Sequence, residues 1–596
     1  MPIVAIGVKR LNELLGAAYD MDVLINALEQ LGCDVEDTAV LNLYLCPMCQ
    51  SPNEKLESEN PAKRCDYCGY EQDKYFELFG TDNVIRIDLL ADRADLFDPG
   101  GLSRALKGYL NIQTGLPEFI TNQGNVEVFV DEELEQEYAY RPCIVCAVVK
   151  IPPLDHTTLR EVMRLQENLH WGIGRDRKLA SIGVYDLNTI KPPIKYTTVD
   201  PKNFTFHPLG MPSISMTPEQ ILTSHPKGID YAHLLKSYKK YPLLIDSNDL
   251  VLSMPPIINS DETKCKIGTS TLFIDVTGIV EQATLDALNT LVSALIEIGG
   301  QVESVKVNYP KGLITSPNLE PRRIIIDYKE SKRWLGIEYT EEEMIKYLEK
   351  MRMTATKENE LYEVLYPAYR TDIRHQVDVF EDIAIGYGYE NIEPKLVPNI
   401  TIGNGRPEEE LSQLVRSVMI GLGFTEILSL HLYSVERLFT KLGLESGSNH
   451  AIISNPKTIE QKVLRCHLMS GIMESFNKNR RKAVPQKIFE IGNIIMIDQE
   501  KETLTSEYRH IAFAVIGPQT GYAEIRAYLD ALLHELNCTA TYQPTTHQSF
   551  CEGRCALITN SKGLWGIAGE IHPQILNNYN LSYPVSLCEL KLIQVI

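Results

Sequence analysis

Tyr369–Pro394 reads YRTDIRHQVDVFEDIAIGYGYENIEP and sets four carboxylates in one short window ahead of an aromatic turn. With Arg374 to Tyr387 as a helix, Asp378, Glu381 and Asp382 fall at i, i+3 and i+4 and share a face, while Asp372 precedes the first turn. Val377, Phe380, Ala384 and Ile385 supply an apolar side, and Gly386 and Gly388 are suited to ending the helix. Carboxylates this close repel, so solvent, basic partners or a hard cation must offset them; Mg²⁺ takes oxygen ligands, one or two carboxylates plus water. A solvated acidic face is the plain alternative to a metal site here.

Working outward, RRIIIDY from Arg322 reads as a strand and YTEEEMIKYLEKM as a helix, with Thr340 and Glu343 placed for a capping box. PKLVPNITIGNGRPEEE is rich in proline and glycine and marks a boundary near residue 400. Beyond it come a helix, EEELSQLVRSVMIGLGF, a strand-like SLHLYS, and the strands KIFEIGNIIMI and YRHIAFAVIG. His572 invites a general-base reading, although a histidine before proline at a helix start is more often structural.

Toward the N-terminus, PIVAIGV reads as a strand and the segment from about Met21 as an amphipathic helix. CPMC at Cys46 to Cys49 and CDYCG from Cys65 follow, two knuckles separated by fifteen residues. Zinc wants four ligands in a tetrahedron; one tight turn presents two thiolates, and two turns complete a closed, structural site of Cys46, Cys49, Cys65 and Cys68. A redox pair is the other use of such spacing, but it occurs singly rather than as two knuckles in a polar insert. Cys143 and Cys146 lie in CIVCAVVKI, whose strand character turns them to opposite faces as buried thiols.

A chain of 596 residues is too long for one core, and about three to five domains are expected. No apolar run approaches the ~20 residues of a membrane span and no leader is evident, so no membrane partner and a cytoplasmic address are expected. Thirteen cysteines, an odd number, fit reduced thiols. A net charge of −21 disfavours non-specific grip on a polyanion and leaves any RNA contact to local patches. Candidates are Arg175, Arg177 and Lys178; Lys236, Lys239 and Lys240; and Lys478, Arg480, Arg481 and Lys482.

Asp372-Ile373, Val377-Asp378, Glu381-Asp382 and the YGYENI ending, Tyr387 to Ile392, together resemble the signature of the phenylalanine-tRNA ligase beta subunit family. Asp88 to Leu110 and Arg164 to Tyr196, with His170, Trp171, Arg175 and Asp176, are similar to its archaeal and eukaryotic form, and Tyr241 to Gly278 to its editing module. The cysteine insert is a departure from many members. The resemblance implies an α+β multidomain chain: an N-terminal module over 1–88 with a four-cysteine zinc ribbon insert at about 42–72, a mixed α/β tRNA-editing domain over 89–315, a small helix-rich acidic metal-binding domain over 320–396, and a class II synthetase-like antiparallel, non-catalytic domain over 400–596.

It further implies magnesium ligands at Asp372, Asp378, Glu381 and Asp382. An editing pocket with Leu244, Ser253 and Asn259 would clear tRNA mischarged with tyrosine, because an apolar phenylalanine pocket rejects an added hydroxyl only moderately. Partners implied are an alpha subunit, in an alpha2-beta2 heterotetramer, and tRNA(Phe), with ATP as a substrate of the complex. Phe489-Glu490-Ile491-Gly492 stands where a class II enzyme would carry an arginine-bearing strand, and there is no GxxxxGK[ST] loop or HExxH motif, so the synthetic site is expected on alpha. A free-standing zinc-ribbon RNA-binding factor and a stand-alone proofreading hydrolase are the alternatives.

Overall fold

The strands Cys143–Lys150 and Thr271–Gly278 pair antiparallel along their whole length. Successive strand residues point to opposite faces, so the pair serves two cores at once. Val145, Ala147 and Val149 join Leu272, Ile274 and Val276 in one core, while Ile144, Cys146, Val148 and Phe273 join a second on the far side. Cys143 and Cys146 accordingly stand on opposite faces as free thiols. The computed structural model describes residues 3–66, 68–135, 140–397, 401–447, 449–559 and 565–592. Its architecture is mixed α and β, in two compact units, Met1–Lys395 and Leu396–Ile596.

In the first unit the central pair belongs to an eleven-stranded sheet. Helices His156–Trp171 and Glu281–Glu297 cover its first face with Leu159, Val162, Leu165, Leu288 and Leu291. The far edge of the sheet is a meander of Ile194–Val199, Tyr241–Ile245, Val251–Met254 and Ile258–Asn259.

Before this sheet lies a four-stranded antiparallel one, in the order Ile3–Gly7, Glu77–Asp88, Asp34–Leu45, Pro52–Leu56. Ile3–Gly7 runs straight into a helix, Val8–Leu15, ahead of the expected one at Met21–Gln30. Its eight residues carry only Leu11 and Leu15 as buried anchors, too short a repeat to stand out in sequence. After the large sheet comes a module built on three antiparallel strands, Arg322–Ile326, Leu361–Tyr366 and Thr354–Glu358. Helices Tyr328–Leu335, Glu341–Lys350 and Gln376–Tyr387 pack on it. Thr340 caps the second of these: its hydroxyl accepts from Glu343 N at 3.2 Å, and Glu343 Oε2 accepts from Thr340 N at 2.7 Å.

The second unit is a seven-stranded sheet around the long hairpin Gln486–Ile497 and Thr505–Ile516. Helices Pro407–Gly421 and Tyr522–Glu535 cover one face, and Met469–Lys478 covers the other. SLHLYS yields only the two-residue strand Leu432–Tyr433, since the Ser429 N–H donates to Glu490 Oε1 at 3.2 Å instead of continuing a ladder. His572 is a helix N-cap whose Nδ1 accepts from Gln574 N at 3.1 Å, a structural use. Among the described residues no helix is long and apolar enough to cross a membrane.

Leu291 is fully buried between its helix and the central pair. Leu291→Ala is expected to lower the stability of the first unit by about 2–5 kcal/mol, read as a fall in the urea midpoint.

Candidate functional site

Helix His156–Trp171 starts firmly, Asp155 Oδ1 accepting from Thr158 N at 2.8 Å, and presents Gln166, Glu167 and His170 to a cavity of about 70 Å³. The opposite wall is the meander. Ser253 stands in register with Leu244 on one side and with Asn259 on the other. Ser253 and Asn259 line the cavity; Leu244 is buried in the apolar cluster with Tyr185, Tyr196 and Phe273 and does not.

Behind Ser253 runs a buried polar chain. Tyr185 Oη lies 2.8 Å from Ser253 Oγ and 2.5 Å from Asp275 Oδ1. A phenol has one proton; given to the carboxylate, it leaves the Ser253 hydroxyl to donate to Tyr185. Burial raises the Asp275 carboxyl to about 7, and the Tyr185 bond and Arg141 offset this only in part.

On the helix side, Arg177 donates to Glu167 Oε1 at 2.7 Å and to the Ile257 carbonyl at 2.9 Å, and its guanidinium lies over the Tyr231 ring. Three consecutive non-glycine residues, Arg175, Asp176 and Arg177, hold left-handed φ values of 46°, 53° and 65°, and this strained turn aims Arg177 inward. Burial works against charge on Glu167, yet Arg177, His170 and Lys227 outweigh it and hold its carboxyl well below the ordinary range. Burial, with Arg177 nearby, keeps His170 neutral: Nε2 accepts from Ile182 N at 2.8 Å, which turns Nδ1 toward Glu167. Arg177 is thus a buried pocket residue and no part of a surface patch. Trp171 packs against Phe97. Lys236, Lys239, Lys478, Arg480, Arg481 and Lys482 are exposed, and Lys240 bonds Glu133.

The four insert cysteines are buried, and their sulfurs all lie within 4.8 Å of one another. Cys46 and Cys68 Sγ are 3.8 Å apart and Cys49 and Cys65 Sγ 3.5 Å. A tetrahedron of sulfurs about 2.3 Å from zinc has edges of about 3.8 Å, so the residues fit the ion. The two knuckles share one bonding scheme. Gln50 N donates to the Cys46 carbonyl as Gly69 N does to that of Cys65, both at 3.0 Å, with left-handed φ of 58° and 77°.

Asp372, Asp378, Glu381 and Asp382 line one cleft of about 950 Å³ but do not gather on a point. Arg370, buried, stands between two of them, its Nη2 2.6 Å from Asp372 Oδ2 and 2.8 Å from Asp382 Oδ2. Asp378 Oδ2 accepts the N–H of Arg374 and of His375 at 2.7 and 2.8 Å, and Glu381 is exposed. Among the described residues, only the cysteines form a group of three or more metal-ligating side chains this close. Of the three offsets that the sequence left open, a basic partner holds Asp372 and Asp382. Burial opposes charge on Asp372, but Arg370 outweighs it and brings the carboxyl down to about 2; at Asp382 burial wins and the shift is upward.

Two family models match the chain: the tRNA synthetase B5 domain at residues 324–389, and the phenylalanyl tRNA synthetase beta chain CLM domain at 394–592. The phenylalanine–tRNA ligase beta subunit of Archaeoglobus fulgidus is 34% identical over 594 residues, 99% of this chain and 98% of the relative. The chain belongs to the phenylalanine–tRNA ligase beta subunit family. The corresponding subunit of Methanosarcina barkeri is 39% identical over 540 residues, 90% of this chain and 96% of its own. A crystal structure of an N-terminal fragment of the phenylalanyl-tRNA synthetase beta-subunit from Pyrococcus horikoshii, 33% identical, covers 65% of this chain and 99% of its own, with a TM-score of 0.55. The chain is therefore a subunit of a ligase that forms phenylalanyl-tRNA, and the end-to-end match disfavours a free-standing RNA-binding factor or lone hydrolase.

Within the CLM segment of this family member, Arg465 is buried with its Nη1 2.6 Å from Glu490 Oε1 and its Nε 2.8 Å from the Asn493 carbonyl. That guanidinium is committed inside the fold. Glu589 is likewise engaged, by His510 Nδ1 at 2.8 Å and by the N–H groups of Leu468 and Met469.

Asp275 gives a pH dependence of definite sign. Its folded value of about 7 exceeds the ordinary carboxyl value of 3.8, so the unfolded chain loses this proton first and stability falls as pH rises from about 4 to 7. Glu161, also at about 7, and Asp98, at about 6, titrate in the same window. The difference between wild type and Asp275→Asn isolates the Asp275 share, expected on the order of 4 kcal/mol across the window in urea unfolding at stepped pH.

Proposed function

We propose that the chain serves as the beta half of an alpha2-beta2 phenylalanine–tRNA ligase, in which ATP, L-phenylalanine and tRNA(Phe) give AMP, diphosphate and L-phenylalanyl-tRNA(Phe). The alpha chain supplies the synthetic site, in keeping with Arg465 being held by Glu490 here. This chain contributes proofreading, part of the tRNA platform and assembly, in the cytoplasm. The functional modules are 1–88, 89–315, 320–396 and 400–596. Apolar side chains left in water in the last module, among them Leu428 at 87%, Ile402 at 88% and Ile459 at 78% exposure, suit a surface that meets the alpha subunit.

The observation that carries the proofreading reading is the pairing of Ser253 and Asn259 on neighbouring strands of one cavity wall, opposite an ionised Glu167. Asn259 offers a donor and an acceptor to a phenol, which lets the cavity select a tyrosyl over a phenylalanyl ester. Glu167, held by Arg177 and His170, presents negative charge to the α-ammonium of the aminoacyl group. Water then cleaves the ester, returning tyrosine and free tRNA. Leu244 flanks Ser253 on the neighbouring strand through the strand pairing and completes the proposed editing set.

Zinc at Cys46, Cys49, Cys65 and Cys68 is structural, since four thiolates leave no open position. Magnesium belongs to the proposal at the acidic cleft. With Asp372 and Asp382 drawn to Arg370, Glu381 and Asp378 are the carboxylates that remain to meet it, and one or two with water suffice.

Phenylalanyl-tRNA formation is expected only when this chain is mixed with its alpha partner. In that complex, Asn259→Ala is expected to slow hydrolysis of tyrosyl-tRNA(Phe) by about tenfold to a hundredfold, the worth of one buried hydrogen bond, with synthesis unchanged. Full hydrolysis by the variant, measured as release of labelled tyrosine, would remove Asn259 from the site.

A further inference from the structure

We infer that the zinc knuckle at Cys65–Cys68 clamps the wall of the cavity that holds Asn259, so that metal occupancy sets the order of that wall; the inference rests on the proofreading reading above. The contact is made where only glycine fits. Gly210 has φ +85°, and a Cβ there would stand 2.9 Å from Cys68 Cβ and 3.1 Å from Cys68 Sγ. Gly69, immediately after the knuckle, has φ +77°, and a Cβ there would stand 2.8 Å from Pro226 Cβ. Two backbone segments of the cavity wall thus lie directly against the metal-binding turn.

Each segment leads into the cavity within one residue. Leu209 precedes Gly210; it packs on the apolar shell of the four cysteines, lines the cavity, and donates its N–H to the Asn259 carbonyl at 2.9 Å. Lys227 follows Pro226, lines the cavity and reaches Glu167 Oε2 at 4.0 Å. The buried His225 ties the segments together, its Nε2 3.2 Å from the Leu209 carbonyl. Strands next to the knuckles grip the opposite wall as well. Arg160 and Arg164, on the helix that carries Glu167, bond Asp82 at 2.9 Å and Glu54 at 2.7 Å.

The core of the ribbon explains why the metal matters. It consists of the four cysteines with Tyr44, Ala62 and Phe76, too little apolar surface to hold the turn once the ion's bonds are gone. Releasing zinc frees the knuckle, and the segments that rest on Cys68 and Gly69 lose the surface they pack against.

The test is hydrogen exchange, by mass spectrometry, of the full chain with its zinc, after chelation, and after zinc is restored. Chelation is expected to speed exchange in 206–231 by about tenfold or more, reversibly, with 322–366 unchanged. Unchanged exchange in 206–231 after measured zinc loss would overturn the clamp, as would an equal rise in 322–366. In Gly210→Ala, zinc content is expected to match wild type while 206–231 exchanges faster; protection equal to wild type with zinc retained would overturn the contact's role. If the zinc-loaded complex with alpha fails to hydrolyse tyrosyl-tRNA(Phe), the proofreading reading fails, while the exchange result still decides the clamp.

Discussion

Burial of the central strand pair on both faces is the condition on which the rest of the first unit hangs. A strand with apolar cores on either side has no water to satisfy a polar side chain, so each one needs a partner supplied by the fold. Asp275 is such a group, one residue from Ile274 and Val276 yet on the opposite face. Its partner Tyr185 comes from the adjoining strand, and Ser253 from the meander beyond. The cavity is therefore anchored on a strand buried on both faces, and its polar lining is fixed by the same burial that forms the cores.

Much of this was legible in the sequence. The cysteine knuckles were legible because both CxxC pairs lie in a polar insert rather than in an apolar strand, as Cys143 and Cys146 do, and the two adopt their turns with a shared hydrogen-bond scheme. Ser253 and Asn259 were legible through resemblance alone; strand register, which composition does not encode, is what puts them side by side. Glu167, Tyr185 and Asp275 were passed over, and Arg177 was read as part of a surface patch for RNA. Arg177 sat in a run of charges that looks solvated, and only the left-handed turn sends it inward. Asp275 did leave a signal, a single acid inside the apolar strand TLFIDVTG, where an unpartnered charge is not tolerated. The acidic window poses a problem of charge, and for Asp372 and Asp382 the partner lies two residues upstream of Asp372, in Arg370, outside the helix that drew attention.

The second unit applies the same rule to different ends. Arg465 with Glu490 is a buried ion pair and Glu589 a buried acid held by His510 Nδ1, each answered from within. Removing one member of such a pair strands the other, whereas apolar replacement of both is often tolerated. These pairs therefore define the interior of the sheet without offering a guanidinium to an incoming phosphate.

The chain carries positive charge in two forms that answer differently to salt. Arg370 is enclosed with Asp372 and Arg93 with Asp95, and the three-stranded module is tied to the segment 93–113 by Arg352, which reaches the Gln113 carbonyl, and by the Arg104 guanidinium over the Tyr369 ring. Lys478, Arg480, Arg481 and Lys482 stand in solvent. At about 1 M salt the screening length shrinks to about 3 Å, which weakens an exposed cluster's hold on a polyanion and hardly reaches an enclosed pair. Ionic strength therefore acts on the field of the exposed cluster while the arginine ties inside the first unit stay closed.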